Sequence, residues 1–271
     1  MNLKNKTVII TGSSSGIGKA CAEKFAMQGA NLVLAARQYD TLYTIKQDLE
    51  NRFGIQALAV QCDVSKENEC RHLIEQAVLT FKKIDILVNN AGISMRALFN
   101  DLDLIVFRNL MDVNFWGTVF CTKYALPELL KSKGSVVGIS SGAGYHGLPG
   151  RTGYSASKFA MNGFLEALRI ENLKTGLHVL IVAPGFTASN IRHVALVKDG
   201  TAQGETSMNE DQMMTSDEAA GLIVNAVINR KRTLVMTGQV KLTLFLHKIF
   251  PSWLDKLIYN HFTKEKNPLI E

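Results

Sequence analysis

The chain has 271 residues, of which 46% are hydrophobic and 20% charged; this composition is typical of a packed globular protein and excludes a disordered chain. Its four cysteines form no CxxC pair and its histidines show no metal-ligand spacing, so the sequence favours a reducing compartment and predicts no metal site. The net charge of +6 is concentrated in the segment 230–271, which has eight Lys/Arg against three Asp/Glu, and the nearly neutral remainder argues against nucleic acid as a partner.

Strand-like and helix-like segments alternate as far as about residue 237. Continuous apolar, β-branched runs separated by amphipathic stretches predict a parallel sheet with helices on both faces. Right-handed crossovers make it a single-domain, doubly wound α/β fold of the Rossmann type, with ligands at the carboxyl ends of the strands. The strands are predicted at Lys6–Thr11, Asn31–Ala36, Gln56–Gln61, Ile84–Val88, Ser135–Ser140, His178–Ala183 and Thr233–Thr237, and the first three helices at Gly16–Gln28, Asp40–Arg52 and Lys66–Phe81.

A turn rich in glycine and serine, with the sequence TGSSSGIG from Thr11 to Gly18, joins the first strand to the first helix. Glycines permit a tight turn and a close approach of a pyrophosphate to the backbone, and the helix N-terminus offers unpaired N–H groups. A Walker A loop is excluded because Ser13 stands where its first glycine belongs. A plain turn is the alternative to the nucleotide site that we predict at Gly12, Ser14, Ser15, Gly16, Ile17 and Gly18.

The end of the second strand indicates which coenzyme binds. An NAD site carries an acid about 20 residues after the glycines, whereas this strand ends Ala35-Ala36-Arg37. A guanidinium is suited to bidentate phosphate binding. We therefore expect Arg37, with Ser14 as a candidate helper, to bind the 2′-phosphate of NADP(H). A solvated surface arginine is the alternative.

Four motifs follow one another along the chain. After TGSSSGIG come Asn89-Asn90-Ala91-Gly92, then Ser141, then Tyr154-Ser155-Ala156-Ser157-Lys158. Together they resemble the motifs of the short-chain dehydrogenase/reductase family, over about residues 5–237. The resemblance implies an oxidoreductase that moves a hydride between a nicotinamide and a carbonyl or alcohol carbon. It also implies a homo-oligomer, because members of the family are commonly dimers or tetramers.

The catalytic residues are assigned from this resemblance and from their chemistry. Tyr154 and Lys158 are four residues apart on a predicted helix and hence share one face. The pKa of a free tyrosine is about 10, and we expect the nearby ammonium to lower it toward working pH. The family's pattern makes Tyr154 the acid/base and lets Lys158 also hold the nicotinamide ribose. It makes Ser141 the residue that binds the substrate oxygen, and Asn114 the residue that links the lysine to solvent through water.

The resemblance implies further contacts with the coenzyme. Asp63 and Val64 match the pair beside the adenine ring, and Pro184 and Gly185 match the turn beside the nicotinamide. Thr187 is placed to donate its backbone N–H to the carboxamide. The remaining implied positions, for which a plain turn after a strand is the alternative, are Asn90, Ala91 and Gly92.

The chain is predicted to divide into a dinucleotide-binding and catalytic domain, 1–238, and an amphipathic C-terminal extension, 239–271. Residues 188–215 are polar and weakly periodic, and a long insertion at this end of a sheet is often a substrate lid, although a surface loop without a role is the alternative. Apolar residues recur at three- and four-residue steps within 239–262, and Pro251 is expected to break or start a helix there. Docking on the protomer or oligomerisation is favoured over contact with an anionic membrane.

The beginning of the chain runs directly into a strand, which leaves no room for a signal peptide, and no apolar run approaches the roughly 20 residues of a bilayer span. We therefore expect a cytoplasmic protein, with peripheral membrane contact through 239–262 as an open alternative.

Competing functions remain open. Phe186, Ile191 and Val194 suggest an apolar carbonyl substrate such as a steroid, lipid or xenobiotic, and a 3-oxoacyl thioester of fatty-acid synthesis is an alternative. A non-catalytic NADP(H)-binding sensor or scaffold is another, since fold does not determine function. The segment Gly138–Gly142 formally matches the nucleophile elbow of serine hydrolases, but the residues that follow Ser140 are a poor start for the helix that an elbow requires.

Overall fold

The structure is a computed structural model that describes residues 1–188, 190–204, 213–264 and 267–270. Its strands are β1 (Thr7–Thr11), β2 (Asn31–Ala36), β3 (Ala57–Gln61), β4 (Ile86–Asn89), β5 (Ser135–Ile139), β6 (His178–Ala183) and β7 (Thr233–Val235). Within the described residues they form one parallel sheet in the order β3-β2-β1-β4-β5-β6-β7. The predicted doubly wound Rossmann-type sheet is confirmed.

The strands lie where the apolar runs predict them. β2 and β6 occupy the predicted residues, four others differ by one or two residues at one end, and β4 differs by two residues at its start and one at its end. In the centre of the sheet, Ile9 pairs with Val33 of β2 and with Leu87 of β4, and Leu87 pairs with Val136 of β5. All four side chains are fully buried. A strand covered on both faces must be apolar at every position, which explains the continuous rather than alternating pattern.

Helices cover both faces of the sheet. One face packs against α1 (Gly16–Met27), α2 (Tyr39–Phe53) and α7 (Ser216–Ile228), and the other against α3 (Glu67–Phe81), α5 (Gly117–Lys131) and α6 (Thr152–Glu171). A short helix, α4 (Leu104–Leu110), leads through a π-helical stretch, Met111–Trp116, into α5. Single 3₁₀ turns lie at Phe99–Asp101 and Gly142–Gly144, and the chain continues after β7 with α8 (Gly238–Ile249) and α9 (Pro251–Phe262).

The order of the strands reverses between β1 and β4. From β1 the sheet extends through β2 to β3, and from β4 it extends the other way to β7. A crevice therefore lies at the carboxyl ends of β1 and β4, where sheets of this kind bind their ligands. Thr11 and Asn89 end these two strands, and Ile139 ends the neighbouring β5.

The segment predicted as a lid, 188–215, lies partly outside the described residues, which omit Ser189 and 205–212. Its described part is packed against the loop that follows β4. The Leu196 N–H donates to the Ser94 carbonyl at 2.9 Å, and the Leu196 carbonyl accepts from the Arg96 N–H at 2.8 Å. Ala195 is buried. The role of this segment as a lid stays a prediction.

The C-terminal extension forms two helices joined at Phe250. Pro251 is the first residue of α9, where its missing N–H costs nothing, so the prediction that it starts a helix is confirmed. Leu254 is buried, whereas most of the other large apolar side chains of α8 and α9 are exposed. Among the described residues, no helix combines the length and the apolar character that crossing a bilayer requires.

The sheet core predicts a large difference between two leucine substitutions. Leu87 in β4 is fully buried, and Leu79 on α3 is 64% exposed. Leu87→Ala should lower the free energy of unfolding by about 2–5 kcal/mol because it leaves a cavity between the sheet and its helices. Leu79→Ala should change it by less than about 0.5 kcal/mol. Urea unfolding followed by circular dichroism measures both, and similar losses for the two variants would contradict the assigned core.

Candidate active site

The glycine-rich turn lies at the carboxyl end of β1 and is in contact with the end of β4. Gly12 and Gly16 have φ angles of +65° and +53°, in the region that favours glycine. A Cβ atom on Gly12 would come within 2.8 Å of the Ala91 Cα. A Cβ on Gly18 would collide with the Gly12 carbonyl oxygen and the Asn90 side chain. The turn therefore needs glycine both for its backbone angles and for its close approach to β4.

Asn90 and Thr11 tie the two strand ends together. The Asn90 side-chain amide donates to the carbonyl oxygens of Thr11 and Gly12, at 2.9 and 3.1 Å. The Thr11 hydroxyl oxygen accepts from the backbone N–H groups of Asn90 and Ala91, each at 3.0 Å. Asn90 thus holds the shape of the turn, a role more specific than the general lining role predicted from the sequence. The contribution of Thr11 was not predicted, although a polar residue at the end of an apolar strand is a pattern that indicates it.

The start of α1 is open to an anion. Its N-cap residue, Ser15, makes no side-chain capping bond, and its first turn contains no acidic residue. Ser15 is exposed, and Ser14, Gly16 and Ile17 are half-buried beside it. Unpaired N–H groups and the positive end of the helix dipole therefore remain available there.

Arg37 is exposed directly after β2. Its backbone carbonyl accepts from the Gln61 side chain at 3.0 Å, which joins the ends of β2 and β3. No carboxylate within the described residues forms an ion pair with its guanidinium. A guanidinium without an internal ion-pair partner at this edge of the sheet is available to a phosphate group of a bound ligand.

Asp63 and Val64 follow β3. The Asp63 carboxylate accepts from the Ser65 hydroxyl at 2.8 Å and from the Ser65 N–H at 3.0 Å. Val64 is buried, and a Cβ on Gly117 of α5 would come within 2.7 Å of its methyl group. The pair is held in a fixed conformation at the carboxyl end of β3, and its place beside an adenine ring stays a prediction.

Asn114 is fully buried in the π-helical stretch between α4 and α5. Its side-chain oxygen accepts from the Ile93 N–H at 2.8 Å, and its amide donates to the Ile93 carbonyl at 3.0 Å and to the Ser157 hydroxyl at 2.9 Å. A Cβ on Gly92 would lie 3.1 Å from the Asn114 side-chain oxygen and 3.5 Å from the Lys158 amine. Gly92 therefore permits the close approach of these two groups.

Lys158 on α6 is only 3% exposed. Its amine donates to the Ile139 carbonyl, at the end of β5, at 2.9 Å and lies 5.8 Å from the centre of the Tyr154 ring. Burial lowers the pKa of this amine to about 8. Tyr154, one helical turn earlier, is half-buried, and the Ser141 side chain is near enough to influence the pKa of its hydroxyl.

The expected effect of Lys158 on Tyr154 is corrected by the structure. Burial raises the pKa of the Tyr154 phenol above its ordinary value, and the neighbouring Ser141 side chain and the charge of Arg151 offset this only in part. The amine is directed at the Ile139 carbonyl instead of the phenol oxygen, so the loss of hydration outweighs any attraction.

Ser141 and the turn after β6 complete the carboxyl edge. The Ser141 hydroxyl accepts from the Ala143 N–H at 3.1 Å and so caps the short 3₁₀ turn. The Gly142 N–H donates to the Pro184 carbonyl at 3.2 Å. A Cβ on Gly185 would come within 2.6 Å of the Thr237 hydroxyl oxygen, and Thr187 is buried. The structure thus brings the predicted residues after β5 and β6 to the same end of the sheet as those after β1 and β4.

Comparison with known proteins identifies the family. A family model described as short chain dehydrogenase matches residues 6–198, well over half of the chain.

The chain belongs to the short-chain dehydrogenase family.

Its relatives include 11-beta-hydroxysteroid dehydrogenase 1A of Arabidopsis thaliana, which is 33% identical over 271 residues, covering 95% of this chain and 76% of the relative. Dehydrogenase/reductase SDR family member 7B of Xenopus laevis is 35% identical over 257 residues, covering 92% of this chain and 80% of the relative. A solved alcohol dehydrogenase from the archaeon Thermococcus sibiricus, complexed with 5-hydroxy-NADP, superimposes with a TM-score of 0.74 over 86% of this chain and 96% of its own. Its identity of 24% makes it evidence for the fold alone.

The residues of this short-chain dehydrogenase fit a dinucleotide. The uncapped start of α1 suits a pyrophosphate, and the absence of Cβ atoms at Gly12 and Gly18 lets the turn close against β4. Arg37 supplies a cation at the end of β2. The donor chemistry and the shape of this edge therefore agree with the nicotinamide coenzyme that the family uses.

Two positions in the short-chain dehydrogenase were missed by the sequence analysis. The Ser157 hydroxyl donates to the Tyr154 carbonyl at 2.8 Å and accepts from Asn114, so it joins α6 to the π-helical stretch. The Arg151 guanidinium donates to the Ser94 hydroxyl and the Met95 carbonyl, at 2.9 and 3.0 Å, and its charge acts on Tyr154. Both lie three residues from Tyr154. This nearness to the predicted catalytic tyrosine is the sequence feature that could have drawn attention to them.

Among the residues that the structure describes, the surroundings of Ser140 lack the geometry required of a serine hydrolase. A 3₁₀ turn and not a helix follows this serine, and its hydroxyl is buried. The acid and the histidine that the sequence offers for a triad are Asp217 and His247. Asp217 instead forms an ion pair with Lys24 at 2.7 Å, and the His247 ring lies 4.8 Å from that of His146. These residues do not form a triad with Ser140, so the structure argues against the hydrolase alternative.

The buried amine predicts a pH-dependent stability. The pKa of Lys158 is about 8 in the folded protein, against 10.5 for an ordinary lysine, so the unfolded chain binds more protons between these values and stability rises with pH there. The free energy of unfolding of the wild type minus that of Lys158→Met should increase by roughly 2–3 kcal/mol between about pH 7.5 and 10. Taking the difference cancels the titration of other groups, such as Cys21, that both proteins share. Urea unfolding at several pH values measures it, and a difference independent of pH would contradict the depressed pKa.

Proposed function

We propose that this short-chain dehydrogenase is an NADP(H)-dependent oxidoreductase that interconverts a carbonyl and an alcohol on an apolar substrate of the steroid or lipid class. The observation that carries the proposal is the pair of neighbouring hydroxyl groups, Ser141 and Tyr154, close to the buried amine of Lys158, which donates to the Ile139 carbonyl at 2.9 Å. The pair adjoins the crevice at the carboxyl ends of β1 and β4, where a dinucleotide fits.

The two hydroxyl groups act on the substrate oxygen. A bound nicotinamide supplies or accepts the hydride. As the carbonyl carbon is reduced, negative charge develops on its oxygen, and the hydroxyl groups of Ser141 and Tyr154 donate hydrogen bonds to it. Donors that are held in place before the reaction stabilise this charge without reorganising. Tyr154 then transfers its proton to the oxygen and completes the alcohol.

Lys158 and Asn114 support the tyrosine. Because the pKa of Tyr154 is raised by burial, the phenol is protonated at neutral pH, which is the form that reduction consumes. We assign Lys158 to the ribose of the coenzyme and to the electrostatic environment of Tyr154. Asn114 joins the Ile93 backbone to Ser157 and thereby fixes α6, which carries both catalytic side chains.

The choice of coenzyme is assigned to Arg37 together with Ser14, and the adenine side to Asp63 and Val64. β2 ends in alanine and is followed by the exposed arginine, with no acid to accept from a ribose 2′-hydroxyl. The pyrophosphate is assigned to the segment 12–18, and the nicotinamide side to Asn90, Ala91, Gly92, Pro184, Gly185 and Thr187.

The substrate class is inferred from the relatives. A pocket of about 440 Å³ lies beside Ser155, the residue after Tyr154, and both apolar side chains such as Leu148 and Ile258 and polar ones such as His146 line it. Neither Ser141 nor Tyr154 lines this pocket, so the pocket does not determine the substrate class. Several relatives are named hydroxysteroid dehydrogenases, which supports a steroid-like or lipid-like carbonyl here.

The role of Tyr154 is tested by removing one oxygen atom. Tyr154→Phe should lower kcat for carbonyl reduction by about 10²–10⁴-fold, because the proton donor is lost, while NADPH binding is kept. The measurement is NADPH oxidation against ketosteroids, 3-oxoacyl thioesters and simple aldehydes, beside coenzyme titration by fluorescence. Tyr124→Phe is the matched control, since that side chain is half-buried on α5 and its hydroxyl bonds Glu67 at the surface, and it should retain full activity. Full activity of Tyr154→Phe on the best substrate is incompatible with the proposed mechanism, and an NADPH-binding protein that reduces no compound supports the non-catalytic alternative.

The coenzyme assignment predicts a selective loss. Arg37→Ala should raise the KM for NADPH about tenfold or more and leave the KM for NADH nearly unchanged, since a charged hydrogen bond contributes about 1.5–3 kcal/mol. Arg37→Lys keeps the charge but not the planar guanidinium, so its KM for NADPH should lie between those of the two proteins. Equal changes for both coenzymes would show that Arg37 does not contact the 2′-phosphate.

A further inference from the structure

The outer side of α8 is apolar and exposed. Leu242, Phe245 and Ile249 follow one another at steps of three and four residues, so they form one stripe along the helix, and each is at least 50% exposed. The opposite side of α8 packs on the catalytic part of the chain. Val240 lies against Gly142, and the His247 ring lies against that of His146. At 100° per residue, the stripe points away from these contacts.

The same division continues in α9. Leu254 is buried and Ile258 is half-buried, whereas Trp253 and Leu257, four residues apart, are 54% and 44% exposed. Phe250, between the two helices, is 56% exposed. We call the surface formed by six exposed apolar residues the tail face: Leu242, Phe245, Ile249, Phe250, Trp253 and Leu257.

Basic side chains accompany the tail face. The segment 239–264 contains four lysines and one aspartate. Lys241 and Lys248, seven residues apart, lie along one flank of the stripe on α8, and Lys256 lies next to Leu257; all three are exposed. The aspartate, Asp255, is 70% exposed and lies on the flank of α9 opposite Trp253 and Leu257, with its carboxylate 3.8 Å from the His146 ring nitrogen. The outer side is therefore both apolar and positively charged.

We propose that the tail face docks on an anionic membrane surface. The aromatic and aliphatic side chains would enter the boundary between headgroups and acyl chains, and the long lysine side chains would reach the lipid phosphates. A second copy of this chain fits less well, because a twofold contact would bring two positively charged faces together. Since no described helix can cross a bilayer, the helices would lie in the plane of the surface.

Docking would also position the pocket. Asp255 and Ile258 of α9 line the pocket beside Ser155, so docking of α9 would bring this pocket near the surface in which apolar carbonyl compounds concentrate. This consequence rests on the proposed function, whereas the docking itself does not. If the protein binds vesicles but shows no reductase activity, the docking proposal stands and the proposed function is wrong.

The test is flotation of the purified full chain with vesicles of phosphatidylcholine alone or with about 30% phosphatidylserine. We expect binding to the anionic vesicles that is several-fold stronger than to the neutral ones and that weakens in about 0.5 M salt, because surface charges are then screened. No binding to either vesicle overturns the proposal.

Two variants show whether vesicle binding depends on the tail face or on exposed apolar side chains anywhere on the surface. Phe245→Ser/Ile249→Ser/Trp253→Ser should lower the partition coefficient at least tenfold. The matched control, Leu79→Ser/Ile170→Ser/Leu173→Ser, removes three side chains that are 62–71% exposed elsewhere and should bind like the wild type. Circular dichroism confirms that both variants are folded. Equal loss in both variants overturns the proposal.

Two further measurements test the role of the lysines and the alternative that a second copy of the chain covers the tail face. Lys241→Gln/Lys248→Gln/Lys256→Gln should remove the preference for anionic vesicles. Sedimentation velocity of the wild type and the Phe245/Ile249/Trp253 variant should give the same oligomeric state. A larger wild-type species that the variant abolishes would mean that a second copy covers the tail face, and would overturn the membrane assignment.

Discussion

The hydrogen bond from the Lys158 amine to the Ile139 carbonyl is the constraint around which the site is organised. An amine that is 3% exposed gives up most of its hydration, and this bond at 2.9 Å replaces part of it. It fixes α6 to the end of β5, and so sets where Tyr154 stands relative to Ser141. Burial also lowers the pKa of the amine to about 8, so a group that is fixed in position can still exchange a proton near neutral pH.

The surroundings of Lys158 are rigid for reasons that can be traced bond by bond. Asn114 bonds both backbone groups of Ile93 and the Ser157 hydroxyl, and Gly92 leaves the room that the amide and the amine need. On the coenzyme side, Asn90 holds the glycine turn against β4 through the carbonyls of Thr11 and Gly12. Asn90 and Asn114 thus fix the two sides of the crevice. Both do so through short side chains, which have little conformational freedom. Such preorganisation is what transition-state stabilisation by fixed donors requires.

Much of this architecture could be predicted from the sequence, because strands covered on both faces are continuous apolar runs, and His178–Ala183 was located to the residue. The family motifs likewise led to Tyr154, Lys158 and Ser141. The π-helical stretch at Asn114 and the carbonyl partner of Lys158 could not be predicted, since both are tertiary contacts of backbone groups that carry no side-chain pattern. The predicted direction of the Tyr154 pKa shift was wrong, because the spacing of residues along a helix does not show how deeply a side chain is buried. The amphipathic extension was recognised, but only the packing of Val240 and His247 reveals which side of α8 is left exposed.

The most direct test of the account is a crystal structure of the protein with NADP⁺ bound. The account predicts the pyrophosphate over the turn from Gly12 to Gly18, the 2′-phosphate at Arg37, and the nicotinamide beside the Tyr154 hydroxyl and the Lys158 amine. A nicotinamide bound far from Tyr154, or a 2′-phosphate that makes no contact with Arg37, would contradict it.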